Sequence, residues 1–99
     1  MSDIAYAMEN LGKQDPEYGG VLTDASTLPV GTTFYVRNGA WYGRIVEAGG
    51  RRCIQPGLHL DASGKPAGRG LRPVPLWPEG DERNILSMTV IKRPDGPAG

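Results

Sequence analysis

The chain has 99 residues, enough for one domain, since two hydrophobic cores do not fit in this length. Gly 15 and Pro 9 exclude a helical bundle, because inside a helix Gly costs about 1 kcal/mol and Pro about 3 kcal/mol relative to Ala, and their lack of period excludes collagen. Eleven basic and eleven acidic groups cancel to a net charge of zero, which speaks against a protein that coats nucleic-acid polymer through a general excess of Lys and Arg.

In chain order, residues 3–11 read as a short N-terminal helix. Ser2 or Asp3 caps it, Ile4, Ala7, Met8 and Leu11 share one face, and Gly12 stops it. A helix this short is not stable alone, so its apolar stripe docks either on the domain core or on another chain. A polar connection follows over 13–20, then a short strand over 21–23 and a turn at 28–31. Next comes the strongest local signal, Asn38-Gly39 between two apolar-rich runs, which predicts a β-hairpin over about 32–47 with a two-residue type I′ turn. That turn sets Arg37 against Ala40, Val36 against Trp41, Tyr35 against Tyr42, Phe34 against Gly43 and Thr33 against Arg44. Phe34, Val36, Trp41 and Ile45 then form the core face, with Phe34 lying over the bare Gly43. Thr33, Tyr35, Arg37, Tyr42 and Arg44 form the opposite face.

Ala48-Gly49-Gly50 turns the chain into a third strand over 51–55, and a further strand at 58–60 fits the pattern. Residues 61–82 hold a Pro/Gly-rich excursion, ordered where Leu71, Val74, Leu76 and Trp77 touch the core. A return strand over about 84–92 alternates Leu86, Met88 and Val90 with Ser87 and Thr89. The expected architecture is mainly β, a small single-domain antiparallel meander or barrel over residues 1–93, with a tail at 94–99. It is SH3-like or OB-like in outline, a likeness of architecture and not of family.

Charge is segregated along the chain. Residues 1–30 carry five acids and one base, 31–76 carry seven bases and two acids, and 77–99 carry three bases and four acids. The middle therefore either presents a basic face or scatters its charges over both sides of the sheet. A single cysteine, Cys53, forms no intramolecular disulfide. With no leader-like or membrane-spanning run, this reads as a reduced, cytoplasmic protein without a membrane role. Arginine outnumbers lysine eight to three, in keeping with a GC-rich bacterial or phage source.

Phosphate-loop, dinucleotide, zinc-spacing and nucleophile-elbow signatures do not occur in the sequence, so no cofactor and no metal are expected, and the protein reads as a non-enzyme. Cys53, His59 and Asp61 are the one thiol, imidazole and carboxylate set that catalysis would use. A core cysteine and a surface histidine account for them more simply. Tyr35 and Tyr42, flanked by Arg37 and Arg44, make a flat aromatic and cationic surface to which Arg51, Arg52, Arg69 and Arg72 add. Such a surface stacks a base and holds phosphate, or docks a protein, or merely stabilises the sheet. Arg72-x-x-Pro75-x-x-Pro78 is similar to the proline-rich ligands of SH3 domains; equally, it is a semi-rigid strap that pins Trp77 to the core and blunts an edge strand.

Together these features predict a protein–protein interaction module, a phage or bacterial accessory protein that acts as an inhibitor or an assembly component on another protein or on itself. The alternative is capture of a nucleotide-like small molecule or other anion. The expected binding residues are Tyr35, Arg37, Tyr42, Arg44, Arg51, Arg52, Arg72 and Trp77.

Overall fold

The computed structural model describes residues 8–94. Most of the expected helix over 3–11, and the tail beyond Pro94, lie outside the described residues. Gly12 has a left-handed backbone (φ 85°), but its N–H donates to the Leu22 carbonyl (2.7 Å) and not to a preceding helical turn, and Met8 and Leu11 just before it are exposed.

Seven antiparallel strands form one sheet: β1 (Val21–Asp24), β2 (Thr33–Val36), β3 (Trp41–Ala48), β4 (Arg51–Leu60), β5 (Pro66–Ala67), β6 (Val74–Pro75) and β7 (Ile85–Lys92). The spatial order is β1-β7-β2-β3-β4-β5, with β6 also paired to β4. β1 and β5 stand at opposite ends and do not pair, so the sheet is open and the expected barrel is not formed. The return strand does not close the sheet; it inserts between β1 and β2, where Met88 sits opposite both Val21 and Val36.

The β2–β3 register is the expected one from Thr33↔Arg44 to Val36↔Trp41. The turn is not. Neither Asn38 nor Gly39 has the positive φ that type I′ demands; Ala40 does (φ 57°), and its N–H donates to the Val36 carbonyl at 2.8 Å across a four-residue loop. Glycine at 39 is required for another reason, because the Trp41 indole folds back onto it and a Cβ there would overlap Nε1. The type I′ pattern belongs instead to Gly49 and Gly50 (φ 62° and 77°), which join β3 to β4.

β4 is one ten-residue strand and not the two short ones expected. It passes through Pro56-Gly57 on a bulge that shifts the pairing from Gly43↔Pro56 to Tyr42↔Leu58, and Gly57 supplies the left-handed residue (φ 81°). After β4, Asp61 holds a tight turn by accepting from the Ser63 N–H (2.9 Å), the Ser63 hydroxyl (2.7 Å) and the Lys65 N–H (2.9 Å). The Pro/Gly-rich excursion then runs back along the outer edge of β4 as a strap, pairing through β5 and β6, with Leu71 donating to the Pro56 carbonyl between them. A proline-bearing strap of this kind protects an edge strand from pairing with other chains.

The core lies on one side of the sheet. Phe34, Val36, Ile45 and Met88 supply it from β2, β3 and β7, and Ala25, Leu28 and Leu76 close it from outside the sheet. Trp41, Ile54, Leu86 and Val90 pack at its margin. Asp24 accepts from the Ser26 N–H to cap the 3-10 turn Ala25–Thr27 that brings Ala25 and Leu28 over the sheet. No helix among the described residues is long and apolar enough to cross a membrane.

Candidate functional site

The expected site residues fall into two groups on opposite faces of the sheet. On the face away from the core, Tyr35 and Tyr42 are directly opposed, with ring centroids 4.7 Å apart and planes tilted by 50°. Thr89 of β7 continues the row beside Tyr35. Arg37 donates from Nε to the Thr89 hydroxyl (3.1 Å), and its guanidinium carbon stands 6.0 Å from the Tyr35 ring centroid. Arg44 donates from Nε to Gln55 Oε1 (2.8 Å) and from Nη2 to the Gly68 carbonyl (2.9 Å), so it both borders the tyrosine pair and anchors the strap. Gln55 adds a 2.7 Å bond to the Arg69 carbonyl. Alternation leaves no carboxylate on this side of β2, β3 or β4, because Glu47 shares the face of Ile45.

Arg51 and Arg52 do not extend this surface freely. Arg52 alternates to the core side, where Nη1 donates to the Ser26 carbonyl (2.6 Å), and Arg51 Nη2 donates to the Leu76 carbonyl (3.2 Å). They tie the β3–β4 hairpin to the 3-10 turn and to the strap. Arg72 is exposed on the strap.

Trp77 lies on the core side and is not pinned into the core: it is 42% exposed, whereas its neighbour Leu76 is buried. Leu71 and Val74 are exposed too, so Leu76 alone of the four expected anchors carries the strap inward. Val74 and Pro75 pair with Ile54 and Cys53, which places the centre of the proline motif in the sheet and not in a free polyproline helix. What holds Trp77 is Asn84, buried and seven residues on. Its Oδ1 accepts from the Trp77 N–H (3.0 Å) and its Nδ2 donates to the Trp77 and Pro78 carbonyls (both 3.1 Å). Arg83 lies over the indole, 5.0 Å from its centroid, and is itself gripped by Asp81 at 2.7 and 3.0 Å. Those hydrogen bonds from Arg83 hold the Asp81 carboxyl at about 2, below its ordinary 3.8.

Between the two tryptophans opens an apolar groove of about 200 Å³. Trp41 of β3, Ile54 and Pro56 of β4, Val74 and Trp77 of the strap and Leu86 of β7 line it. Arg83 is its one charged neighbour, and Asp81 balances that charge. Sequence reading assigned Trp41 to the core face and passed over Asp81, Arg83 and Asn84. The Asp81-x-Arg83 spacing of a capped turn is the one local signal that points to them; nothing local marks the bonds from Asn84 to Trp77.

Cys53, His59 and Asp61 are not brought together. Six residues of one extended strand put Cys53 about 20 Å from His59, with Cys53 buried and His59 exposed. Asp61 is turned to Ser63, whose hydroxyl bond is the main cause of its lowered pKa. Among the described residues no three His, Cys, Asp or Glu side chains cluster as a metal site would need. Comparison with protein-family models, with curated proteins and with solved structures finds no match to this chain.

Proposed function

We propose that this chain is a non-enzymatic protein-interaction module and that the groove between Trp41 and Trp77 is its docking site. The observation that carries the reading is Trp77 itself: a large apolar side chain held at the surface by a buried asparagine, a stacked arginine and an acid that fixes the arginine. Exposed tryptophan in a fixed pose, beside an apolar recess, is the usual make-up of an interface hot spot. The recess is smaller than the roughly 300–1,000 Å³ of small-molecule pockets, so its size suits one apolar side chain of a partner. Its neutral lining favours an uncharged anchor.

In this reading the protein is an accessory, of phage or bacterial source, that occupies a larger protein as an inhibitor or as an assembly component. A lone buried cysteine suits a cytoplasmic setting. The outline of an SH3-like or OB-like barrel, opened between β1 and β5, belongs to the same proposal.

Selection of a random peptide library on the immobilised protein tests it. Wild type is expected to enrich peptides that share one large apolar residue, and Trp77→Ala to enrich none while melting close to wild type. Enrichment of the same peptides by Trp77→Ala, or of no common anchor by wild type, overturns the reading. A second copy as the partner would appear instead as a Trp emission that shifts blue with protein concentration.

A further inference from the structure

We infer that the Tyr35/Tyr42 face binds a short single-stranded nucleic-acid segment, with a base stacked on the tyrosine pair and phosphates on Arg37 and Arg44. This goes beyond the groove reading and shares no residue with it.

Three observations support the inference. First, the aromatic pair is preformed: the two rings are held 4.7 Å apart by direct cross-strand pairing and are half-buried. Aromatic side chains displayed on a sheet stack bases of any identity. Second, the cations are oriented before any ligand arrives. Thr89 fixes Arg37 through Nε, and Gln55 and Gly68 fix Arg44 through Nε and Nη2. Both terminal nitrogens of Arg37 and Nη1 of Arg44 have no protein acceptor among the described residues, and a guanidinium fork pre-set in this way matches phosphate geometry. Third, no carboxylate among the described residues stands beside the tyrosine pair: Asp24, which alternates to this side at the far end of β1, is committed to the Ser26 N–H and hydroxyl. Among the described residues the one ion pair is Arg83–Asp81, on the other side of the sheet, and no carboxylate of β2, β3 or β4 points to the tyrosine side. A net charge of zero therefore conceals a locally basic surface.

The placement also selects a strand over a free nucleotide. Arg37 lies two positions beyond Tyr35 and Arg44 two positions beyond Tyr42 in the opposite direction, so the arginines flank the tyrosines about 13 Å apart. One phosphate group cannot reach both. A chain that carries a base between two phosphates can.

The test is fluorescence anisotropy of a labelled oligothymidylate about ten nucleotides long, within the range one small β-domain covers. Wild type is expected to bind saturably, with log affinity falling against log salt at a slope of about −1.4 for two neutralised phosphates of a single strand. Arg37→Gln, at an exposed position, is expected to keep the fold, lower affinity at least about fivefold and reduce the slope to about −0.7. Replacing both tyrosines with leucine is expected to lower affinity at least about tenfold. Trp77→Ala is expected to bind as wild type, which keeps this result distinct from failure of the groove. Thymidine monophosphate is expected to compete only weakly. No anisotropy change at low salt, a salt slope unchanged in Arg37→Gln, or thymidine monophosphate competing as well as the oligomer each overturns the inference. So does heparin, which has no bases, displacing the oligomer while the leucine variant binds it undiminished.

Discussion

The Trp41 indole lies against the backbone of Gly39, so that a Cβ at position 39 would overlap Nε1 and stand 2.6 Å from Cδ1. Trp41 is thereby held on one side by its own turn and on the other by Phe34, whose ring meets it edge-on at 6.2 Å. Gly39→Ala has no backbone strain of its own, since φ at 39 is not positive, so its whole effect comes from displacing the indole. We expect a loss of about 1–3 kcal/mol and a red shift in Trp41 emission. Urea denaturation with Trp77→Phe as background reads both. Unchanged emission would show that the indole does not depend on this contact.

Gly57 and Gly64 make a matched pair. Both have φ 81°, but a Cβ at Gly64 meets nothing, whereas one at Gly57 stands 2.5 Å from Leu71 Cγ and 3.2 Å from the Leu71 backbone nitrogen. Gly64→Ala should cost only the left-handed strain of about 1–2 kcal/mol. Gly57→Ala should cost that and, in addition, about 1–3 kcal/mol for crowding the strap. Equal melting temperatures for the two variants would contradict this account of the bulge.

Asn84 is 1% exposed and satisfies both backbone groups of Trp77. Asn84→Ala leaves the Trp77 N–H and the two carbonyls without their partner, at an expected cost of about 1–3 kcal/mol. Asn84→Asp keeps the acceptor for the N–H and turns a charge toward two carbonyl oxygens, so it should destabilise more than alanine at neutral pH and recover as the carboxyl protonates. Thermal melts of the three proteins at pH 7 and pH 4 read the order directly.

The Asp81–Arg83 pair predicts a pH window. The folded carboxyl is held at about 2, below its ordinary 3.8, so whatever the pair contributes is fully present above pH 3.8 and is lost as pH falls through 2. Carbon-detected NMR of the Asp81 side chain should therefore show a midpoint near 2. In Arg83→Gln it should move up toward 3.8, and the Trp77 resonances should shift with it. A wild-type midpoint near the ordinary value would mean that Arg83 does not hold the acid in solution.

Local pattern sufficed for the centre of the sheet. Strand alternation and the Asn38-Gly39 signal placed Phe34, Val36 and Ile45 in the core, opposed Tyr35 to Tyr42 and marked Met88 as buried. Each of these follows from side chains that alternate every second residue and from a short loop that leaves one register available. Even there the loop conformation escaped: the left-handed residue is Ala40 and not Asn38 or Gly39, and the Trp41 indole lies against Gly39.

The rest was decided by contacts between segments far apart in the chain. Insertion of β7 between β1 and β2 is a matter of pairing with both neighbours, and alternation within β7 reads the same wherever it pairs. The strap has too little period to show that it would pair along β4; the free edge of β4 and the left-handed bulge at Gly57 receive it. Trp77 and Leu76 are adjacent apolar residues that pattern alone treats alike. Only the assembled fold, with Asn84 bonding one backbone and Arg83 covering one ring, turns Leu76 into the core and leaves Trp77 at the surface.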